Sequence, residues 1–378
     1  MFTLLVNSCK TENISPIGIY KGGKLHEQPA LTTFPNDTNY SFSKLTDTAL
    51  TTKLNEKINQ IIVSQNIIGL SVTALIPDKG MWQLDTGYIS KNNSILVDSN
   101  SVFYWASVGK LITSITIHLL IADGKIALTD KLKKWYPQFE YSDKITIEHL
   151  LTHTSGIYSF NSDSSFHYSN VYQTPTELLD IALSQNNLFQ PGEYWSYSNT
   201  GYLLLALIAE KIEAKSFSEI VSDRISGPLN LKSLRALQPQ ELPSNLALSH
   251  KGGKVNETQF SVPLGAGNIV SDSKDMATFL MKLLTGQILP FSTVHAMFTK
   301  LYPMFVNTGQ YYGLGIMLYD FNEINGTQNQ WMGHSGGTEN YKAVIVFDIK
   351  TQVIITVSVN QNTPAEAIAY SLLGLITE

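Results

Sequence analysis

The chain has 378 residues, 43% of them apolar and 15% charged, with a formal net charge of −5. That composition suits a globular chain with a sizeable core, as one large domain or two modest ones. Its scattered Lys and Arg exclude a nucleic-acid stripe or a basic membrane helix, the single cysteine, Cys9, excludes an internal disulfide, and no run of about eighteen apolar residues is available to span a bilayer.

Residues 1–45 are rich in Asn, Thr, Ser, Pro and Gly without sustained periodicity, and they read as a polar N-terminal extension. Leu5-Val6-Asn7-Ser8-Cys9 is faintly similar to the end of a lipoprotein signal. It lacks a basic start and its apolar run is short, so it reads as a tail with an incidental cysteine. Residues 46–378 carry the folding pattern. Asp47 caps a helical spacing that runs to Gln65. "GLSVTALIP" and "MWQLDTGYIS", joined through Asp78-Lys79-Gly80, predict a hairpin. Helices follow in "SVGKLITSITIHLLIADGK", in "TPTELLDIALSQ" with a capping box at Thr174 and Glu177, in "NTGYLLLALIAEKIEA", and in "DSKDMATFLMKLLTG" closed by Gly286. "YYGLGIMLYD", "KAVIVFDI" and "QVIITVSVN" are strand-like, and "PAEAIAYSLLGLI" is a last helix. The expected class is α+β: an antiparallel sheet built from both ends of the chain, flanked by helices, with a mostly helical region inserted at about 107–290.

Two serine devices compete. Gly333-His334-Ser335-Gly336-Gly337 fits the G-x-S-x-G elbow, but no histidine follows Ser335 and a strand-like run comes next. The elbow needs a helix there and a later histidine, so it is rejected. The alternative is S-x-x-K, in which a lysine one helical turn on takes the serine proton. It occurs at Ser41…Lys44 in the polar extension, at Ser271…Lys274 among Asp272 and Asp275, and at Ser107…Lys110. The neighbouring acids would keep Lys274 charged, and that segment reads as a helix cap. Lys110 is the only charge between Asp98 and Asp123, at the start of an apolar helix whose free N–H groups suit an oxyanion. On these residues alone, Ser107 as nucleophile and Ser107 as a plain cap stand level. Tyr197-Ser198-Asn199 and Tyr168-Ser169-Asn170 each place a tyrosine and an amide in a loop. His149 and His153, four apart, lack a third metal ligand and read as a structural helix end.

In chain order, Ser107-Val108-Gly109-Lys110, Tyr197-Ser198-Asn199 and His334-Ser335-Gly336 resemble the three motifs of the serine β-lactamase-like family: class C β-lactamases, D-alanyl-D-alanine carboxypeptidases, D-aminopeptidases and related esterases. "ITIEHLLTHTSGI", "PGEYWSYSNTGYLLLALIAEKI" and "GHSGGTENY" extend the likeness over about residues 47–378. The resemblance implies a β-lactamase/transpeptidase-like fold and a serine hydrolase working through an acyl-enzyme, without metal or cofactor. It implies Ser107 as nucleophile, Lys110 as base and Tyr197 as proton relay. Asn199, His334, Ser335 and Gly336 would bind substrate, with His334 supporting Tyr197 or the leaving group. The N–H groups of Ser107 and Gly337 would form the oxyanion hole, and the third motif would lie on an edge strand. Asn340 stands where many relatives carry glycine and would tolerate a left-handed turn. The implied substrates are D-amino-acid peptides of cell-wall type or small esters, and the implied location is extracytoplasmic. A penicillin-binding sensor that acylates without turnover and a class C-like β-lactamase remain as alternatives. The third motif has no lysine and no arginine follows Arg235. Both absences disfavour a β-lactamase and a strict carboxypeptidase.

Overall fold

The computed structural model describes residues 24–377 apart from 93, 167–170, 257–259, 261–262 and 306–308. Tyr168-Ser169-Asn170 and Cys9 lie outside the described residues. Thr48–Gln65 forms α1, its first turn closed by the Asp47 carboxylate accepting the Leu50 N–H at 2.9 Å. Leu50, Leu54 and Ile58 recur every four residues and are the positions it buries. The expected hairpin is formed by β1 (Gly69–Ile76) and β2 (Gly80–Ser90), with Ile76 opposite Gly80.

A nine-stranded antiparallel sheet organises the molecule. Its other strands are β3 (Ile95–Leu96), β4 (Tyr302–Pro303), β5 (Gln310–Tyr312), β6 (Met317–Asp320), β7 (Gln330–Thr338), β8 (Tyr341–Asp348) and β9 (Ile354–Val359), in the spatial order β3-β2-β1-β9-β8-β7-β6-β5-β4. Both chain ends contribute, and they meet where β1 pairs with β9. "YYGLGIMLYD" is not one strand but the β5–β6 hairpin, because Gly315 turns the chain at φ 78°. No L side chain holds that conformation cheaply.

The inserted region is helical chiefly in α2 (Gly109–Ala122) and α3 (Asn199–Glu213), which pack on each other. α2 begins in a 3₁₀ turn at Ala106–Val108, and its Leu111, Ile112, Ile115, Ile117 and Leu120 are fully buried. Each such side chain contributes about 1.5–3 kcal/mol. The region also holds a small sheet of Phe103–Tyr104, Ile269–Ser271 and Arg235–Ala236 that braces the entry to α2. α4 (Ser273–Leu284) and α5 (Ala365–Ile376) lie on opposite faces of the large sheet.

Residues 24–45 lie against the body of the protein. His26 bridges to Leu301, Lys44 bridges to Met81, and Phe34 is buried edge-on against Phe291 and Phe298. This contact is carried by single side chains and isolated bridges, so it has no period in the sequence.

Candidate active site

Strand parity decides which side chains meet. Residues paired across an antiparallel sheet share a face. The row Thr73, Thr356, Ile345, His334 and the row Ser71, Ser358, Ala343, Gly336 both follow from the register. Both rows are tied to the start of α4, through Thr73 Oγ1 to Ser273 Oγ at 2.8 Å and the Ser273 N–H to Ser71 Oγ at 3.2 Å. His334 and Gly336 therefore face the inserted region. Ser335 faces the other way, its Oγ 3.8 Å from Met317 Sδ and on the side of the buried Glu366 carboxyl of α5. The implied edge strand is interior to the sheet. β6 nevertheless stops pairing at Met317 opposite Gly333, and the flank of β7 beyond that point packs on the Ser107 turn. Neither Glu339 nor Asn340 of the β7–β8 turn adopts a positive φ.

Ser107 lies one residue after Ala106, whose φ is 46°. A non-glycine residue in that region is strained, and it bends the chain so that Ser107 leads into α2. Lys110 is completely buried. Its Nζ lies 3.1 Å from Ser107 Oγ, donates to Ala266 O at 2.7 Å, and sits 4.8 Å from the centre of the Tyr197 ring. The other serine–lysine pairs differ. Ser41 and Lys44 are exposed. Ser271 Oγ is paired with Ser233 Oγ at 3.0 Å, Asp272 caps α4, and Lys274 is exposed at a separate 690 Å³ cavity that no member of the Ser107 group lines.

Tyr197-Ser198-Asn199 enters α3 with Ser198 as its N-cap. The Asn199 amide donates to Asn161 Oδ1 at 2.7 Å, and Asn161 also accepts the Ser159 hydroxyl. His334 Nδ1 lies 2.5 Å from Ser335 O, so that nitrogen carries the proton and Nε2 accepts the Tyr312 hydroxyl at 3.0 Å. Burial pulls the His334 imidazole down to about 3. It is a neutral group, not a stand-in for a cation.

The structure thus brings Ser107, Lys110, Tyr197, His334 and Gly336 into one cluster, with Asn199 at the entry to α3. It turns the Ser335 hydroxyl towards α5. Sequence reasoning missed three members. His153 lies 4.3 Å from the Tyr197 ring centre, and Tyr202 and Tyr312 complete an aromatic wall around it. His149, by contrast, completes a capping box with Thr146. Among the described residues, His26, Asp320 and Glu323 bring potential ligand atoms within 4.8 Å of one another. They belong to the β6 corner, where His26 pairs with Asp320 at 2.9 Å and Glu323 accepts the Tyr311 hydroxyl.

The His334 shift has a consequence for stability. Between its folded value of about 3 and the ordinary 6.5, the unfolded chain binds the proton and the folded chain does not. Its contribution is full above about pH 6.5 and is lost as pH falls, by about 1.4 kcal/mol per unit. His334→Gln removes that slope. The stability advantage of wild type over the variant, measured by urea unfolding, should shrink by about 2–3 kcal/mol from about pH 6 to about pH 4. Parallel curves would mean that His334 titrates normally.

Known proteins resemble this chain in sequence and in fold. Penicillin-binding protein 4* of Bacillus subtilis (strain 168) is 28% identical over 287 residues, 69% of this chain. The match spans 61% of that relative's length. Teichoic acid D-alanine hydrolase of Staphylococcus aureus is 25% identical over 308 residues, covering 78% of this chain and 74% of that one. Among solved structures, D-amino acid amidase from Ochrobactrum anthropi SV3, complexed with D-phenylalanine, superposes with a TM-score of 0.77 at 22% identity, covering 86% of this chain and 99% of that chain. The octameric penicillin-binding protein homologue from Pyrococcus abyssi superposes at 0.72 and 23% identity, covering 86% and 77%. These structures share the β-lactamase/transpeptidase-like fold, an antiparallel sheet flanked by helices. The sequence profile described as Beta-lactamase matches residues 49–375, and the chain belongs to the beta-lactamase family.

Proposed function

We propose that the protein is a serine hydrolase working through an acyl-enzyme on substrates with a D-amino-acid acyl group, cell-wall-type peptides or D-alanyl esters, with small esters as surrogates. The observation that carries this reading is the buried Lys110 amine 3.1 Å from Ser107 Oγ beside the Tyr197 ring. Burial disfavours the ammonium form. A neutral amine can donate one N–H to Ala266 O and accept the Ser107 proton on its lone pair. Ser107 then attacks the carbonyl, and the N–H groups of Ser107 and Gly337 receive the oxyanion. Tyr197, against the Lys110 amine, passes the proton to the leaving group. Asn199 orients the acyl side chain. Gly336 and the neutral His334 shape the cleft face of β7, to which Ser335 contributes main chain. Water completes the cycle. No step uses a metal or cofactor.

The relatives named as a penicillin-binding protein, a D-alanine hydrolase and a D-amino acid amidase support the substrate class. They also support an extracytoplasmic place of action. No helix among the described residues is long and apolar enough to cross a membrane. The lack of a lysine in the third motif, together with a neutral His334, argues for little β-lactam turnover.

A fluorophosphonate should label Ser107 alone, as read by peptide mapping, and the purified protein should release D-alanine from a D-alanyl peptide or ester. Label on Ser335 or Ser271 would overturn the assignment. A permanent penicillin adduct with no turnover of any D-alanyl substrate would make the protein a sensor. Nitrocefin hydrolysis matching its best ester would make it a β-lactamase.

A further inference from the structure

The aromatic wall contains a group that the mechanism above does not use. His153 follows the five-residue helix Ile147–Leu151 and is 1% exposed, with φ 61°. Its carbonyl accepts the Ser196 N–H at 2.9 Å, and its Nδ1 accepts the Ser198 N–H at 3.1 Å. The two residues flanking Tyr197 are therefore both held by one residue. The imidazole also lies against the Tyr197 ring, with centroids 4.3 Å apart and planes 34° apart.

The tautomer follows from these contacts. An Nδ1 that accepts leaves the proton on Nε2. That Nε2 is buried without a hydrogen-bond partner among the described residues, within the wall formed by Trp195, Tyr197, Tyr202 and Tyr312. A buried, unmatched donor is costly, and so is a left-handed residue that is not glycine. Both costs fall on the residue that grips Tyr197. A phenylalanine here would give the ring contact without the stranded N–H. What only the imidazole adds is an acceptor for Ser198.

We infer that His153 is a positioning residue, which fixes Tyr197 over the Lys110 amine by holding the main chain on both sides of it and backing its ring. The catalytic part of this statement rests on the serine-hydrolase reading, whereas the placement of Tyr197 does not. Burial keeps the His153 imidazole neutral, so that Nδ1 stays an acceptor.

Two variants separate the contacts. His153→Phe keeps an aromatic face and loses the acceptor. His153→Asn loses the ring and keeps an acceptor oxygen near the Nδ1 place. Asparagine also tolerates a left-handed φ, so this variant guards against loss of folding. Crystal structures should show Tyr197 displaced in His153→Phe and still about 4.8 Å from Lys110 Nζ in His153→Asn. In the burst phase with a p-nitrophenyl ester, His153→Phe should acylate roughly 10–100-fold more slowly, with substrate affinity within about threefold, and His153→Asn should recover to within about fivefold of wild type. Tyr197 unmoved in His153→Phe, or Tyr197 displaced equally in both variants, would overturn the inference. A wild-type protein without a burst would overturn the hydrolase reading, and the crystal structures would still decide the role of His153.

Discussion

Lys110→Met is expected to slow acylation of Ser107 by roughly 10²–10⁴-fold, the range spanned by general-base catalysis. Methionine keeps most of the lysine stem's volume and removes the amine, so the effect separates chemistry from packing. The Ser107 hydroxyl would lose the one buried base at 3.1 Å. Ala266 O would lose its 2.7 Å donor, a cost of about 1–3 kcal/mol that a chain with this much buried apolar surface should survive folded. The rate is read from the burst of a p-nitrophenyl ester and folding from the melting temperature. A folded variant acylating within tenfold of wild type would remove Lys110 from the proton path.

Gly336→Ala should be nearly as damaging, for a steric reason. A β-carbon at this position would sit 2.5 Å from Trp105 O, 2.7 Å from Ser107 N and 2.8 Å from Val108 N. All three are main-chain atoms of the nucleophile turn, so either β7 or the turn must move. The strained Ala106 lies between Trp105 and Ser107 and leaves the turn little room to adjust. Displacing the proposed oxyanion donors by a few tenths of an ångström should cost about 10²–10³ in kcat, and overpacking about 1–3 kcal/mol of stability. Gly374→Ala in α5 is the control: a β-carbon there meets nothing within 4 Å, and the change should be neutral or stabilising. Equal kcat in wild type and Gly336→Ala would mean that β7 does not abut the nucleophile.

Local chemistry made part of the site legible in the sequence. Ser107 and Lys110 are three apart, and the charge-free stretch around Lys110 is a sequence property that predicts its burial. Asp47, Thr174 with Glu177, and Gly286 mark helix ends because caps act within four residues. The facing of Ser335 was also available: strand period two puts it opposite to His334 and Gly336. Reading the third motif as a unit hid that alternation. His153 was not legible. Its contact with Ser198 spans 45 residues and depends on a left-handed turn that no residue type there announces. The aromatic pair Tyr311-Tyr312 reads equally as pocket lining or as core, and core packing is the default for such a pair. The β-strand residues on either side of Gly313–Ile316 gave no length signal for a hairpin. The packing of residues 24–45 rests on lone anchors such as Phe34, which an aperiodic segment does not distinguish from an exposed aromatic.

The pairing of Leu70 with Val359 joins the early and late parts of the chain. A polypeptide leaves the ribosome N-terminus first, so β1 and β2 emerge as a hairpin whose inner edge has no partner until β9 is out. Such non-local pairing is slow, and an unpaired edge is adhesive while it waits. The helical insert can collapse meanwhile around α2 and α3, gathering Ser107, Lys110 and Tyr197 from contacts within it. His334 and Gly336 arrive later, on β7, and the sheet cannot seat β7 against the nucleophile until β8 and β9 bridge back to β1. The cluster thus closes only once β9 has emerged to pair with β1.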